Sequence, residues 1–456
     1  MENLKIVIFG VTSNLAEVKL IPALFELWKN KQIPENISIF GLSHRNRTQE
    51  ELYGLISKSL RSRYGEIDEK LVKSFWQRFQ FLSGDFGDDL IYKNLKKVLA
   101  IENKGNVIFY LATHPTLYQG IFENLDKEKL NKNSDGFVKI MIEKPIGSDL
   151  ESAKKLNELL KKYYLEEQIF RIDHYLAKDT IQNILAFRFH NEVFESVWNR
   201  EKIDHIQIMA AESFGAGLRS AYYDSVGALR DVGQNHVLQM LAFTVMGRPT
   251  KFDNEGITTK RMEVFQNLVA EPENLVLGQY ENYSENKVKV DTFFAFKTKL
   301  KKGKFAEVPI YIRGGKKLAK TVAEISVVFK KKDNGQANVL TFRIQPNEGI
   351  VLEMAVKKPG LEMKCEKGTM QFCYREIGKL SDAYVRLLMD AILGEQTYFN
   401  DAVEVEAEWK FIDAMKASEK EIIPYLAGSW GPKEADELIK KDGRSWLEPS
   451  ERLCRI

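Results

Sequence analysis

The chain opens with an apolar run, Leu4 to Phe9, that stops at Gly10. The period then changes: Leu20, Ala23, Leu24 and Leu27 recur on one side of a stretch from about Ala16 to Lys29. A short apolar run followed by helical spacing predicts a buried strand, a turn and an amphipathic helix. Another run, Ile37 to Phe40, ends in Gly41, and further runs at Val107–Leu111, Val138–Ile142 and Ile169–Ile172 are separated by helical patterns. Strands alternating with helices predict a parallel sheet covered on both faces.

After about Tyr175 the texture changes. Helical stretches near Thr180–Leu185 and Gln234–Val245 are interspersed with strand-like runs at Ile203–Met209, Thr292–Phe296, Val308–Ile312, Ala323–Phe329, Val339–Ile344 and Gly349–Val356. Lys332-Asp333-Asn334-Gly335 is a turn signal between two of these runs, which predicts antiparallel pairing. The expected fold class is therefore an α/β Rossmann-type N-terminal domain, residues 1–176, plus a larger α+β domain with a mainly antiparallel sheet, residues 177–456. A length of 456 residues agrees with two domains.

Composition narrows the function classes. Hydrophobic residues are 44% and charged residues 29%, and 67 basic against 64 acidic residues leave a formal charge of +3. Such a balance gives no global attraction to nucleic acid or an anionic membrane, so an anionic ligand must be held locally. No apolar stretch approaches ~20 residues and the N-terminus carries no leader pattern, so a cytoplasmic location without membrane partners is expected. Cys365, Cys373 and Cys454 cannot all pair and show no metal-like spacing; they are expected to be inert thiols. The six histidines are scattered, and no metal is expected.

The first turn carries the first candidate chemistry. A dinucleotide turn needs small residues where the chain bends, where backbone meets pyrophosphate and where helix packs on strand. Here the spacing is Gly10-x-x-Ser13-x-x-Ala16, with Asn14 and Leu15 between the last two; the middle glycine is a serine. A tight strand-to-helix turn without a ligand would have the same form. Past the second strand come Gly41-Leu42-Ser43-His44-Arg45-Asn46-Arg47, with no carboxylate for a ribose 2′-hydroxyl and two arginines suited to a 2′-phosphate, favouring NADP over NAD.

Arg171-Ile172-Asp173-His174-Tyr175-Leu176-Ala177-Lys178-Asp179 resembles the RIDHYLGKE signature of glucose-6-phosphate dehydrogenases, with two mild departures. The resemblance continues through Glu143-Lys144-Pro145-Ile146-Gly147, Arg230-Asp231-Val232, Gln234-Asn235-His236-Val237-Leu238-Gln239-Met240, Arg313-Gly314-Gly315-Lys316, Gln345-Pro346-Asn347-Glu348 and Gly428-Ser429-Trp430-Gly431-Pro432, in matching order. It implies oxidation of D-glucose 6-phosphate at C1 to the lactone, with hydride passing to NADP+. It also implies a homodimer or dimer of dimers formed through the antiparallel sheet.

The same resemblance assigns roles. His236 is the implied base, a task suited to an imidazole whose unperturbed pKa is about 6.5, and Asp173 its orienting partner. His174, Tyr175 and Lys178 are the implied phosphate contacts, with Lys316 a further basic contact near the sugar. Glu212 and Asp231 match carboxylates that accept hydrogen bonds from sugar hydroxyls. Lys144 would reach both substrate and nicotinamide, and Gln345 would be a sugar contact, a second NADP contact or a structural residue. Gly10, Ser13, Asn14, Leu15 and Arg45 are the remaining candidates for the cofactor.

The departures cluster at the cofactor. Ser13 and Asn14 stand for Gly-Asp of the GxxGDLA turn, Glu17 and Val18 for basic residues, and His44 where an arginine is usual, with Arg45 one place on. They motivate a rival from another class, a catalytically silent sugar-phosphate binding protein. A second rival, another sugar dehydrogenase with an EKP lysine, would lack the RIDHY block.

Overall fold

The computed structural model describes residues 3–101, 105–133, 135–217, 220–283, 288–332, 335–378, 380–449 and 454. Two compact units emerge from its contacts. The first comprises Met1–Gly147, Glu151–Ala177 and Ser381–Ala402; the second comprises Ser148–Leu150, Lys178–Leu380 and Val403–Ile456. From sequence, residues 381–402 fall with the second domain. In the structure Lys139 reaches across ~250 positions to donate to the carbonyls of Ala391 (2.7 Å) and Ile392 (3.1 Å), fastening this segment to the first unit.

The first unit holds six strands: β1 (Leu4–Phe9), β2 (Ser38–Ser43), β3 (Phe79–Ser83), β4 (Asn106–Leu111), β5 (Val138–Ile142) and β6 (Ile169–Arg171). They form one sheet in the order β3-β2-β1-β4-β5-β6, and every pair is parallel. All six residues of β1 and all five of β5 are buried, Lys5 and Lys139 included, as strands covered on both faces must be. The helix expected over 16–29 begins as a π-helical turn, Ala16–Leu20, before continuing as α-helix over Ile21–Lys29. Its Leu20, Leu24, Phe25 and Trp28 pack into a core with Phe75 and, from the late segment, Leu387, Leu388 and Ile392.

The second unit holds nine strands: β7 (Ile203–Ala211), β8 (Leu275–Tyr280), β9 (Phe293–Thr298), β10 (Ile310–Gly315), β11 (Val322–Phe329), β12 (Val339–Gln345), β13 (Gly349–Lys357), β14 (Cys365–Cys373) and β15 (Ile422–Tyr425). Their order is β14-β13-β12-β11-β7-β10-β9-β8-β15, antiparallel except for β7 with β10 and β8 with β15. The expected mainly antiparallel sheet is observed. β11 and β12 pair as an antiparallel hairpin; Asp333 and Asn334 of its expected turn lie outside the described residues.

The cysteine expectation is overturned. Cys373 and Cys454 form a disulfide across 81 positions, their Cα atoms 5.7 Å apart, and only Cys365 is free, on an exposed strand. Chain spacing cannot show a pairing that tertiary structure alone creates. Among the described residues no helix is long and apolar enough to cross a membrane.

Candidate functional site

In the first unit Gly10 ends β1 with φ +87°, and a Cβ there would lie 2.6 Å from the carbonyl oxygen of Ala112. The sharp bend therefore requires glycine. The amides of Gly10 and Val11 both donate to Leu42 O, tying the turn to the end of β2. Ser13 does not simply obstruct the turn. Its Oγ accepts the hydrogen of the Ala16 amide at 3.2 Å, taking up one of the donors that a helix start offers to an anion. Asn14 is exposed and Leu15 partly buried. Glu17, a carboxylate near this turn, is neutralised by Lys58 at 2.7 Å.

Beyond β2, Ser43 Oγ accepts from the Arg45 amide at 3.0 Å and contacts Thr12 Oγ1 at 2.9 Å, while the Arg45 side chain is exposed. Arg47 is paired with Glu51 at 3.5 Å on the surface. Arg45 is thus the more available cation for a 2′-phosphate.

β5 and β6 run parallel with Ile142 opposite Arg171, so the residues that follow them leave the sheet at one edge. These are Glu143-Lys144 and Asp173-His174-Tyr175. Asp173 is buried, and its Oδ1 accepts from the Tyr175 amide at 2.9 Å, closing a turn at the strand end. Arg171, wholly buried, is braced by Glu166 and by Asn157 at 3.1 Å.

Sequence reasoning missed Glu143 and Tyr384. Glu143 accepts from Tyr110 and Tyr384, and the surrounding protein pushes its carboxyl up to about 7 although the residue keeps partial exposure; Lys144 opposes the rise and Asp173 adds to it. Tyr384 also stacks on His174, ring centroids 6.2 Å apart. The acid was visible beside Lys144; nothing in the chain pattern linked position 384 to position 174.

The second unit repeats the strand-end device. β7 and β10 run parallel with Ala211 opposite Gly315, so Glu212 and Lys316 emerge side by side, and Lys316 Nζ lies 2.5 Å from Glu212 Oε2. The ammonium also sits over the rings of Tyr223 (4.8 Å) and Phe214 (5.3 Å). Asp231 and His236, both buried, belong to a π-helical segment, Leu229–Val237. Bonding from i to i+5 stacks residues five apart, which places Asp231 and His236 on one face. Gln234, in this segment, and Gln239, in the helix that follows it, donate to the two oxygens of Glu408 at 3.0 and 2.7 Å. The helix expected over Gln234–Val245 is thus α-helical only over Leu238–Val245.

Lys178 stands at the start of the helix Asp179–Phe189 and donates to Gln345 Oε1 at 2.8 Å. Gln345 is therefore a partner of a candidate phosphate lysine.

A parallel sheet in the order β3-β2-β1-β4-β5-β6 with a glycine turn after its first strand defines the dinucleotide-binding class of oxidoreductase folds. Family models match over both units: "Glucose-6-phosphate dehydrogenase, NAD binding domain" at residues 7–183 and "Glucose-6-phosphate dehydrogenase, C-terminal domain" at residues 185–447. The glucose-6-phosphate 1-dehydrogenase of Borreliella burgdorferi is 40% identical, covering 97% of this chain and 98% of its own; that of Rhizobium meliloti is 36% identical, covering 96% of each. A solved structure of a glucose-6-phosphate dehydrogenase with its substrate glucose-6-phosphate superposes with a TM-score of 0.91 at 29% identity, covering 98% of this chain and 99% of that one. The chain belongs to the glucose-6-phosphate dehydrogenase family.

Proposed function

We propose that the chain oxidises C1 of D-glucose 6-phosphate to 6-phosphoglucono-1,5-lactone with NADP+ as acceptor, and that the residues assembled above carry the reaction. The observation that carries the assignment of roles is the side-by-side emergence of Glu212 and Lys316, with Asp231 and His236 sharing a face of the π segment. Bound NADP+ supplies the hydride acceptor. His236 takes the O1 proton as the C1 hydrogen leaves with its electron pair and a C1–O1 double bond forms. Asp173 favours the imidazolium so produced. Glu212 and Asp231 accept from sugar hydroxyls, while His174, Tyr175, Lys178 and Lys316 offset the charge of the phosphate and its surroundings. Lys144 positions substrate and nicotinamide.

Residues 1–176 together with 381–402 act as the dinucleotide domain, and the rest of 177–456 as the substrate and dimerisation domain. Gly10, Ser13, Asn14 and Leu15 border the pyrophosphate and Arg45 meets the 2′-phosphate. The bend at Gly10, with a positive φ and no room for a Cβ against Ala112, is the tight strand-to-helix turn that such a ligand calls for. A homodimer is supported by the outer strands: Met370 and Phe372 are exposed on β14 and line an apolar groove of about 570 Å³ with Phe187, Phe194 and Leu352. The location is cytoplasmic.

The test follows reduced-nicotinamide absorbance with purified protein, glucose 6-phosphate and each cofactor. Turnover with NADP+ at higher kcat/KM than with NAD+ is expected. Binding of the sugar phosphate without turnover would return the silent-binder reading.

A further inference from the structure

Resting on the sugar-site reading above, we infer that the hydroxyl of Tyr223 is an additional sugar-binding group, one that hydrogen-bonds a ring hydroxyl of the bound hexose phosphate. Tyr223 lies in the helix Ser220–Val226, just ahead of the π segment, and is 1% exposed. Its hydroxyl has no hydrogen-bond partner among the described residues. A buried phenol without a partner is costly, because its desolvation is not offset. A water or a bound ligand can complete such a group.

The surroundings identify the ligand chemistry. Lys316 Nζ faces the ring at 4.8 Å and is itself held by Glu212. Asp231, Asp291 and Glu212 all lie near enough to keep the phenol protonated, burial being the larger cause. Asp291 is already committed: its Oδ2 takes the amide of Leu229 at 2.8 Å, at the head of the π segment. A neutral phenol placed among carboxylates and an ammonium can both donate and accept, which suits a hydroxylated ring and not a second anion. The tyrosine differs from its charged neighbours in this respect. It reads hydroxyl groups without adding charge.

The experiment compares Tyr223→Phe with Glu212→Gln in the intact protein, using glucose 6-phosphate, its 2-, 3- and 4-deoxy analogues, and thermal melting. Tyr223→Phe keeps the ring under Lys316 and removes only the unpartnered hydroxyl. It should melt at or above the parent temperature, raise KM for glucose 6-phosphate about five- to tenfold, and leave KM for NADP+ unchanged. The loss should vanish with whichever deoxy analogue lacks the contacted hydroxyl. A KM within twofold of the parent, while Glu212→Gln raises KM, overturns the inference and leaves the sugar site standing. A raised KM that no deoxy analogue relieves also overturns it, because the effect then runs through packing. If neither variant changes KM, the sugar-site reading falls as well.

Discussion

The two strand-end regions present different kinds of group. Around Gly10 in the first unit the groups offered are largely backbone: a left-handed glycine, a bend without room for a Cβ, and amides at the start of a helix. At Glu212 and Lys316 in the second unit they are side chains fixed by strand register and an ion pair. A backbone cradle tolerates changed side chains provided the chain path survives, and Ser13, Asn14 and Glu17 are such changes. A side-chain site loses a contact with each replacement. The departures from the family pattern accordingly gather at the cofactor turn, while Asp173, Glu212, Asp231, His236 and Lys316 remain.

The strongest challenge to this contrast is His236→Asn. It should lower kcat roughly 10²- to 10⁴-fold with KM for glucose 6-phosphate nearly unchanged. Asp173→Asn should lower kcat less, and Lys144→Ala should affect KM and kcat together. Steady-state kinetics across pH decides: near parental kcat in His236→Asn, with turnover abolished at constant KM in Lys144→Ala, reassigns the base to the lysine.

Next in size, Lys178→Ala should weaken glucose 6-phosphate binding by on the order of 1.5–3 kcal/mol through loss of a charge-assisted phosphate contact. Turnover of unphosphorylated glucose should change little. Equal losses on both sugars would remove Lys178 from the phosphate site and leave Gln345 as its structural partner.

Glu143 tests the first unit through stability. Its carboxyl is raised from 4.5 to about 7, so between those values the folded chain holds a proton that the unfolded chain has released. Stability should fall as pH rises from about 4.5 to about 7 and level off above. Glu143→Gln should lack this decline. Parallel Tm-versus-pH curves for parent and variant would show that the carboxyl is not raised.

The smallest effect sharpens the backbone side of the contrast. Ser13→Gly frees the Ala16 amide for pyrophosphate and should lower KM for NADP+ about two- to fivefold, on the scale of a single hydrogen bond. An unchanged KM would mean that the serine cap and the ligand do not compete.

What was legible in the sequence follows from range. β1, β4, β5 and β6 announced themselves because each is an apolar run closed by turn residues. β14 did not: Cys365–Cys373 carries mostly exposed residues and is a strand through pairing with β13. The site motifs were readable as residue types, but the π winding was not, since its i to i+5 bonds leave no hydrophobic period of their own. Glu143 was visible as a neighbour of Lys144, whereas Tyr384 and the Cys373–Cys454 bond belong to contacts over very long separations.

The winding of Leu229–Val237 also bears on chain length. In an α-helix, partners on one face stand four apart; here Asp231 with His236, and Gln234 with Gln239, stand five apart. Asn235 lies inside both intervals. Removing it would convert both pairs to a four-residue spacing, and an ordinary α-helix could then present the same two faces. The segment is an α-helix plus one residue, with the extra residue absorbed as a wider turn.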